Sequence, residues 1–375
     1  MKKCIVISDS FKGTLSSAEI CRIAGETIPA FFPACQVVAI PVADGGEGTA
    51  DCFLEALGAA PVAVTVQGPF GRPVRAAYAR KGKLAVIEMA AAAGLPLAGG
   101  HGDPSAATTY GVGQLIRHAV ESGCREILLG IGGSATNDGG CGCAAALGTR
   151  FYDETGASFV PVGGTLSRIR RFDAAGTRKL LEGIRLTVMC DVDNPLYGPA
   201  GAACVFAPQK GADPAMVRLL DSQLRALDGV FVRELGRSFA EIPGAGAAGG
   251  LGAGCMAFLE AELRSGIEAV LDTVDFDAHL RGADLVITGE GRIDSQSLRG
   301  KVISGVARRT RAAGVPLVAI VGGIGESAEA AYGLGVTAMF SINREAKSLA
   351  ESASQSAANY RRTLADICRL LRAVM

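Results

Sequence analysis

Three polar, glycine-rich segments of the chain carry side chains that suit phosphate chemistry. They cover residues 8–14, 41–49 and 289–301. Backbone N–H groups in such turns bind phosphate oxygens, lysine and arginine neutralise moving charge, and carboxylates hold Mg²⁺. The three segments therefore predict a site for phosphate-bearing ligands. The candidate residues are Lys12, Asp44, Gly45, Gly46, Gly48, Glu290, Arg292, Asp294 and Lys301.

Two segments from the middle of the chain add polar groups of a similar kind. Residues 132–140 combine hydroxyl, amide and acidic groups around glycines. In that segment Gly132, Gly133 and Ser134 are typical of a backbone nest for a phosphate or a carboxylate. Asp191 follows an apolar run, where a carboxylate could orient or deprotonate a substrate hydroxyl.

Each of these segments also has a purely structural interpretation. Residues 44–46 could form only a turn before a helix cap, and residues 12–14 only the approach to a helix. Arg292 and Asp294 could form a surface ion pair, and Asp191 could close an Asx turn. The nest segment could be a plain glycine-rich turn. The sequence leaves these alternatives open for each segment taken alone.

Composition excludes several classes of protein. The 375 residues are 49% apolar, with 37 basic and 37 acidic side chains and no tryptophan. These values predict a globular protein and give no indication of a nucleic-acid or membrane surface. Eleven scattered cysteines, an odd number, indicate reduced thiols. No stretch resembles a signal peptide or reaches transmembrane length, so a cytoplasmic location is expected.

Short apolar strands alternate with helices at both ends of the chain. Residues 4–7 and 36–40 predict two strands, and the capping-box pattern of Ser16 and Glu19 opens a helix between them. Residues 349–371 keep the 3/4 spacing of a terminal helix. Such alternation predicts a parallel sheet covered by helices. Later strands of this sheet are predicted at residues 285–288, 317–321 and 336–340.

The middle of the chain has a different pattern. Residues 62–66, 74–79 and 84–87 alternate like the strands of an antiparallel meander. Further strands are predicted at 127–131, 186–189 and 202–206, and helices at 113–121, 214–235 and 254–263.

We therefore predict an α/β protein with two domains. Residues 1–60 and 282–375, from both chain ends, form a Rossmann-like parallel-sheet domain, and residues 61–281 form an inserted mixed α/β domain. Residues 109–150 could belong to either. In an open parallel sheet, ligands bind beyond the carboxyl ends of the strands, where the three polar segments of the outer domain begin.

Taken together, the polar segments resemble the type-1 glycerate kinase family. Their order and approximate spacing match from the first strand to about Lys301, and no motif matches after about Asn343. The classical P-loop and the protein-kinase signatures are absent from the sequence. The matching segments are residues 8–13, 43–49, 132–140, 190–196, 206–212 and 288–296.

The resemblance implies ATP-dependent phosphorylation of D-glycerate. Comparison with similar bacterial members implies that the 2-hydroxyl is phosphorylated, giving 2-phosphoglycerate. The family also implies two α/β domains with the site in the cleft between them. The alternatives are a kinase for another small hydroxy acid, a glycerate 3-kinase, or a non-catalytic nucleotide-binding sensor. A dehydrogenase is disfavoured because no dinucleotide fingerprint follows a convincing strand.

On this hypothesis each candidate residue has a role. Residues 44–48 and 132–134 cradle phosphates through backbone N–H groups, and Lys12 and Lys301 stabilise the transferring group. The remaining expected roles are Glu290 and Asp294 as Mg²⁺ ligands, Arg292 as the ligand of the glycerate carboxylate, and Asp191 as the group that orients the acceptor hydroxyl.

Overall fold

The chain forms two compact units. The first contains residues 1–44, 51–58 and 265–375, and the second contains residues 45–50 and 59–264. Residues 265–281, which the sequence suggested for the inserted domain, lie in the first unit. The computed structural model describes residues 1–11, 13–43, 48–99, 102–294, 301–345, 351 and 353–374.

Strands and helices alternate along both units. The strands are β1 (Lys3–Ser8), β2 (Gln36–Pro41), β3 (Ala60–Gln67), β4 (Pro73–Lys81), β5 (Leu84–Glu88), β6 (Glu126–Gly130), β7 (Arg150–Tyr152), β8 (Ser158–Phe159), β9 (Arg171–Asp173), β10 (Arg185–Met189), β11 (Glu262–Arg264), β12 (Leu285–Gly289), β13 (Arg292–Ile293), β14 (Leu317–Val321), β15 (Gly323–Ile324) and β16 (Val336–Ser341). The α-helices are α1 (Ser17–Phe31), α2 (Thr49–Leu57), α3 (Ala90–Ala93), α4 (Tyr110–Glu121), α5 (Cys141–Leu147), α6 (Ala175–Leu180), α7 (Ala202–Phe206), α8 (Pro214–Leu235), α9 (Ala247–Leu259), α10 (Gly266–Thr273), α11 (Phe276–Leu280), α12 (Val302–Ala313), α13 (Ala330–Leu334) and α14 (Ser356–Val374). Within the described ranges, none of these helices is both long and apolar enough to cross a membrane.

The first unit is built on a five-stranded parallel sheet in the order β16-β14-β12-β1-β2. Ser8 at the end of β1 is level with Gly289 on one side and Pro41 on the other. The chain passes from β1 to β2 on one side, and from β12 through β14 to β16 on the other. The strand order therefore reverses between β1 and β12, which is where open α/β sheets bind ligands.

Two helices pack together on this sheet. Ser16 caps α1 by accepting a hydrogen bond from Glu19 N at 3.2 Å, as the capping-box pattern predicts. The apolar face of α1 packs against α14, whose Tyr360 is fully buried. The predicted terminal helix starts at Ser356 in the structure, and Leu349, where the pattern began, lies outside the described residues.

The second unit is built on a six-stranded mixed sheet in the order β11-β10-β6-β5-β4-β3. Strands β5, β6, β10 and β11 are parallel, whereas β3, β4 and β5 form the predicted antiparallel meander. Its core of buried apolar residues, like that of the first unit, is made by its own elements. The α/β fold class predicted from the sequence is therefore confirmed.

One prediction for a short apolar segment was wrong, and one predicted helix ends earlier than expected. Residues 202–206 were predicted as a strand but form α7, because a five-residue apolar run is compatible with either structure and burial against α8 favours the helix. The helix predicted over residues 254–263 is α9, which ends at Leu259. Glu260 has a left-handed φ of 53°, which ends the helix and directs the chain into β11.

Candidate active site

A pocket of about 310 Å³ opens at the point where the strand order of the first sheet reverses. Asp9 follows β1 and Glu290 follows β12, and both are buried. Asp9 N donates to Gly289 O at 2.9 Å, so the two loops leave the sheet side by side. The lining residues are Asp9, Ser10, Phe11, Thr14, Glu290, Gly291, Arg292, Asp294, Lys301, Gly322, Ile342, Asn343 and Ser356.

The absence of a side chain at Gly289 allows this close packing. A Cβ atom there would lie 2.0 Å from Ile320 O, which is main chain of the neighbouring strand β14. The Glu290 carbonyl then accepts a hydrogen bond from Gly322 N at 3.1 Å. Backbone contacts therefore fix the wall from which the Glu290 side chain projects.

Four of the predicted residues share this pocket, namely Glu290, Arg292, Asp294 and Lys301. Lys301 is the N-cap residue of α12. Arg292 Nε lies 3.8 Å from Asp294 Oδ2, and the Arg292 side chain is 71% exposed. The ion pair considered from the sequence is thus present, and such an exposed pair contributes little to stability.

The pocket has donors of the kind that Mg²⁺ prefers. Carboxylates of Asp9, Glu290 and Asp294 line it. Among the residues that the structure describes, no group of three or more His, Cys, Asp or Glu side chains could hold a metal alone. Protein sites for Mg²⁺ usually supply one or two carboxylates and leave other positions to water and phosphates, so these residues fit that ion.

Several predicted phosphate ligands lie outside the described residues. These are Lys12, Asp44, Gly45 and Gly46. Gly48 is described, has a left-handed φ of 87° and directly precedes α2.

In the second unit, parallel strands bring another set of polar residues to one sheet edge. The register pairs Glu88 at the end of β5 with Gly130 at the end of β6, and Gly130 with Met189 at the end of β10. The loop with Gly132, Gly133 and Ser134 follows β6, and the exposed Asp191 follows β10. The predicted residues of this unit therefore leave adjacent strands at the same edge.

Glu88 is a residue of this edge that sequence reasoning missed. Its Oε1 accepts a hydrogen bond from Ala50 N, in the first turn of α2, at 2.7 Å. The signal available in the sequence was its position, an acidic residue directly after the predicted strand 84–87.

Residues 132–140, which we call the nest loop, are hydrogen-bonded through their backbone to the segment after β5. Leu95 N donates to Gly133 O and Ala135 N donates to Ala93 O, both at 2.9 Å. Gly132 and Gly133 are exposed, whereas Ser134 is buried.

A buried lysine donates two hydrogen bonds to this loop. Lys210 Nζ donates to Ser134 Oγ at 2.8 Å and to Thr136 O at 2.7 Å. Burial lowers the pKa of Lys210 from 10.5 to about 7, and the charge of Asp138 partly opposes that shift. Sequence reasoning assigned no role to Lys210, although it lies within one of the segments that resemble the family.

Asp138 organises the far side of the same loop. Its Oδ2 accepts hydrogen bonds from Thr109 N, Thr109 Oγ1 and Gly142 N, and its Oδ1 accepts one from Gly140 N. Burial raises the pKa of the Asp138 carboxyl despite these donors. The side chain thus joins the nest loop to the starts of α4 and α5.

Comparison with known proteins identifies the family. The sequence profile of the glycerate kinase family matches residues 4–372. The chain belongs to the glycerate kinase family. It is an enzyme. Its membership confirms the family that the polar segments predicted from the sequence.

Curated relatives match over nearly their whole length. The chain is 43% identical to the glycerate kinase of Bacillus subtilis (strain 168), over 97% of this chain and 96% of that protein. It is 41% identical to the glycerate 2-kinase of Escherichia coli (strain K12), over 99% of this chain and 96% of that protein.

A solved structure is similar as well. It is a crystal structure from Salmonella typhimurium LT2 of a protein provisionally named glycerate kinase 2, with a TM-score of 0.88 and 40% sequence identity. The similarity covers 99% of this chain and 98% of that one.

Proposed function

We propose that this enzyme transfers the γ-phosphoryl group of ATP to the 2-hydroxyl of D-glycerate, giving ADP and 2-phosphoglycerate. The observation that carries the proposal is the 41% identity, over nearly full length, to an Escherichia coli glycerate 2-kinase. The acidic and basic residues of the first-unit pocket support it, because they suit a magnesium-bound phosphate chain. A cytoplasmic location, expected from the eleven scattered cysteines of the sequence, is part of this proposal.

In the first unit, Glu290 and Asp294 would hold Mg²⁺, which neutralises phosphate charge when bound. Lys301, with Lys12, would stabilise the transferring group. Arg292 would bind an anionic group in the pocket, for which the sequence suggested the glycerate carboxylate. Residues 44–48 are proposed to bind phosphate through their backbone N–H groups.

In the second unit, Gly132, Gly133 and Ser134 are proposed to form a nest for an anionic group. Asp191 is proposed to orient the acceptor hydroxyl and to accept its proton as the new O–P bond forms. Its exposed position after β10 supports this role, because a general base must be reachable by substrate.

One coupled assay tests the reaction. The protein is incubated with ATP, Mg²⁺ and D-glycerate, and ADP release is followed with and without glycerate. Enolase without a mutase then reports the position, since it accepts the 2-phosphate and not the 3-phosphate. ADP release that does not depend on glycerate would reject glycerate as the acceptor. Nucleotide binding without turnover would reject the proposal in favour of a sensor. Glycerate-dependent release without an enolase signal would indicate the 3-hydroxyl.

The role of Asp191 is tested by Asp191→Asn. We expect kcat to fall about 100-fold or more, because the amide cannot accept the hydroxyl proton. The matched control is Asp193→Asn, which changes another exposed acid of the same segment and should keep near-normal turnover. Circular dichroism checks that both variants fold, and normal turnover in Asp191→Asn would remove this residue from the mechanism.

A further inference from the structure

The second unit encloses a cluster of buried polar groups around Lys210, a residue that has no role in the proposed mechanism. We call Lys210, Ser134, Thr136 and Asn137 the Lys210 cluster. Lys210 is 3% exposed, Ser134 is 7% exposed, and Thr136 and Asn137 are fully buried. Ser134 follows the exposed Gly132 and Gly133, so the cluster lies directly beneath the surface at the carboxyl edge of the sheet.

The hydrogen-bonding capacity of the cluster is only partly used. The Lys210 ammonium has three N–H donors, and its recorded partners among the described residues are Ser134 Oγ and Thr136 O. Thr136 Oγ1 and both amide atoms of Asn137 are buried and have no partner among the described residues. A buried donor or acceptor without a partner is costly, and native proteins retain few of them.

The backbone around these atoms is too closely packed to satisfy them by rearrangement. A Cβ atom on Gly249 would lie 2.1 Å from Thr136 O, and one on Gly163 would lie 3.1 Å from Asn137 O. The neighbouring Asp138 already accepts five hydrogen bonds from other groups. The unmatched groups are therefore fixed in position, and their hydrogen-bonding capacity remains unused by the described residues.

These groups match the chemistry of a small hydroxy acid. A carboxylate accepts hydrogen bonds from an ammonium and from an amide NH₂ group, whereas a hydroxyl group donates to an amide oxygen or a threonine oxygen. We propose that the Lys210 cluster binds the carboxylate and an adjacent hydroxyl of the acceptor. This inference rests on the proposed function, since it names the subsite for its substrate class. Arg292 then serves the phosphate chain rather than the glycerate carboxylate.

The charge state of Lys210 gives the subsite a measurable signature. The charge of Asp138 favours the ammonium form of Lys210, but burial outweighs that effect and lowers the pKa. A carboxylate beside the ammonium favours the protonated form and raises the pKa of Lys210. Binding of glycerate slightly above neutral pH should therefore be accompanied by proton uptake.

The first experiment uses the wild-type enzyme without nucleotide. Calorimetric titration with D-glycerate at pH 8, in buffers of different ionisation enthalpy, measures the protons taken up per glycerate. We expect uptake of up to about one proton. The neutral amide glyceramide should bind roughly 10- to 100-fold more weakly, because it lacks the charge that pairs with Lys210. Zero uptake with equal binding of the two compounds would overturn the proposal.

The second experiment uses variants of the cluster. Lys210→Met should raise the Kd for D-glycerate roughly 10- to 100-fold and abolish proton uptake, and Asn137→Ala should raise it about 3- to 10-fold. The Kd for ATP should stay within about twofold of wild type, because the proposal assigns the cluster to the acceptor. Gln209→Ala, an exposed neighbour of Lys210, is the control and should bind glycerate normally.

The outcomes separate this inference from the proposed function. A wild-type enzyme without glycerate-dependent ADP release rejects the function itself. A wild-type enzyme that phosphorylates glycerate, with an unchanged glycerate Kd in Lys210→Met, rejects the subsite alone. Equal losses of glycerate and ATP affinity in both variants would indicate a purely structural cluster, with buried water as its occupant, and would also reject the subsite.

Discussion

Lys210 is a single residue whose burial is unfavourable to stability but places a titratable ammonium group beside the nest loop. Its aliphatic stem and ammonium are buried, and only two hydrogen bonds, both to the nest loop, are recorded for it among the described residues. Burial disfavours the charged form, so the pKa falls to about 7 from 10.5. Natural proteins often retain such a destabilising arrangement where a ligand uses the charge.

The lowered pKa predicts a particular dependence of stability on pH. Between about pH 7 and 10.5, the unfolded chain binds this proton and the folded protein does not, so the free energy of unfolding rises with pH. The contribution reaches at most about 1.4 kcal/mol per pH unit. We expect urea denaturation to show wild type gaining stability relative to Lys210→Met across this window.

The comparison with Lys210→Met isolates this one group. The buried thiols, whose pKa values are raised by burial, act in the opposite direction at alkaline pH in both proteins. Their contribution therefore cancels in the difference. Parallel stability curves for the two proteins would show that Lys210 titrates normally.

At the level of elements, a kink in α9 holds the nest loop in place. Ala248, Gly249 and Gly250 have φ values of 54°, 69° and 86°, so three left-handed residues lie within this helix. Gly249 O accepts a hydrogen bond from Gly139 N at 3.0 Å. The same glycine packs directly on the Thr136 carbonyl, which fixes the loop between β6 and α5.

Gly249→Ala should therefore be strongly destabilising. The new Cβ would meet main-chain atoms of Thr136 and Asn137, at 2.1 and 2.5 Å, in a backbone conformation that alanine adopts with strain. We expect a loss of about 2–4 kcal/mol in the free energy of unfolding, from strain plus overpacking. Gly183→Ala is the matched control, with a φ of 71° and open space around its Cβ position. Gly183→Ala should lower the free energy of unfolding only by the backbone strain, about 1–2 kcal/mol. Equal losses in the two variants would contradict the packing argument.

At the scale of the whole molecule, each unit has a core made from its own elements. The second unit is continuous from residue 59 to residue 264, apart from the short segment 45–50. The first sheet, by contrast, needs both chain ends, because β1 pairs with β12. Independent cores and few crossings of the chain are typical of domains that fold alone.

We expect a fragment of residues 59–264 to fold by itself. It contains every strand of the six-stranded sheet and the whole of its recorded apolar core. Urea unfolding followed by circular dichroism should show a cooperative transition. The control fragment 1–58 contains β1 and β2 without β12, β14 or α14, and should remain unfolded. A fragment 59–264 without a cooperative transition would show that the second unit depends on the rest of the chain.

The sequence by itself determined the features that depend on neighbouring residues. Ser16 caps α1, the final helix follows its 3/4 pattern, and the strand candidates at both ends form the first sheet. Because carboxyl ends of parallel strands share an edge, the positions of the polar loops followed once the strands were recognised. That reasoning is why Glu290, Arg292, Asp294 and Lys301 were expected together and share a pocket.

Only the tertiary structure decided the features that depend on distant partners. Lys210 meets Ser134 across 76 residues of sequence, and no local pattern reveals that pairing or its burial. Residues 202–206 became helical because packing against α8, rather than their own apolar run, decides their structure. Burial and hydrogen bonding between remote segments depend on how the chain folds back on itself, and residue periodicity carries no information about that.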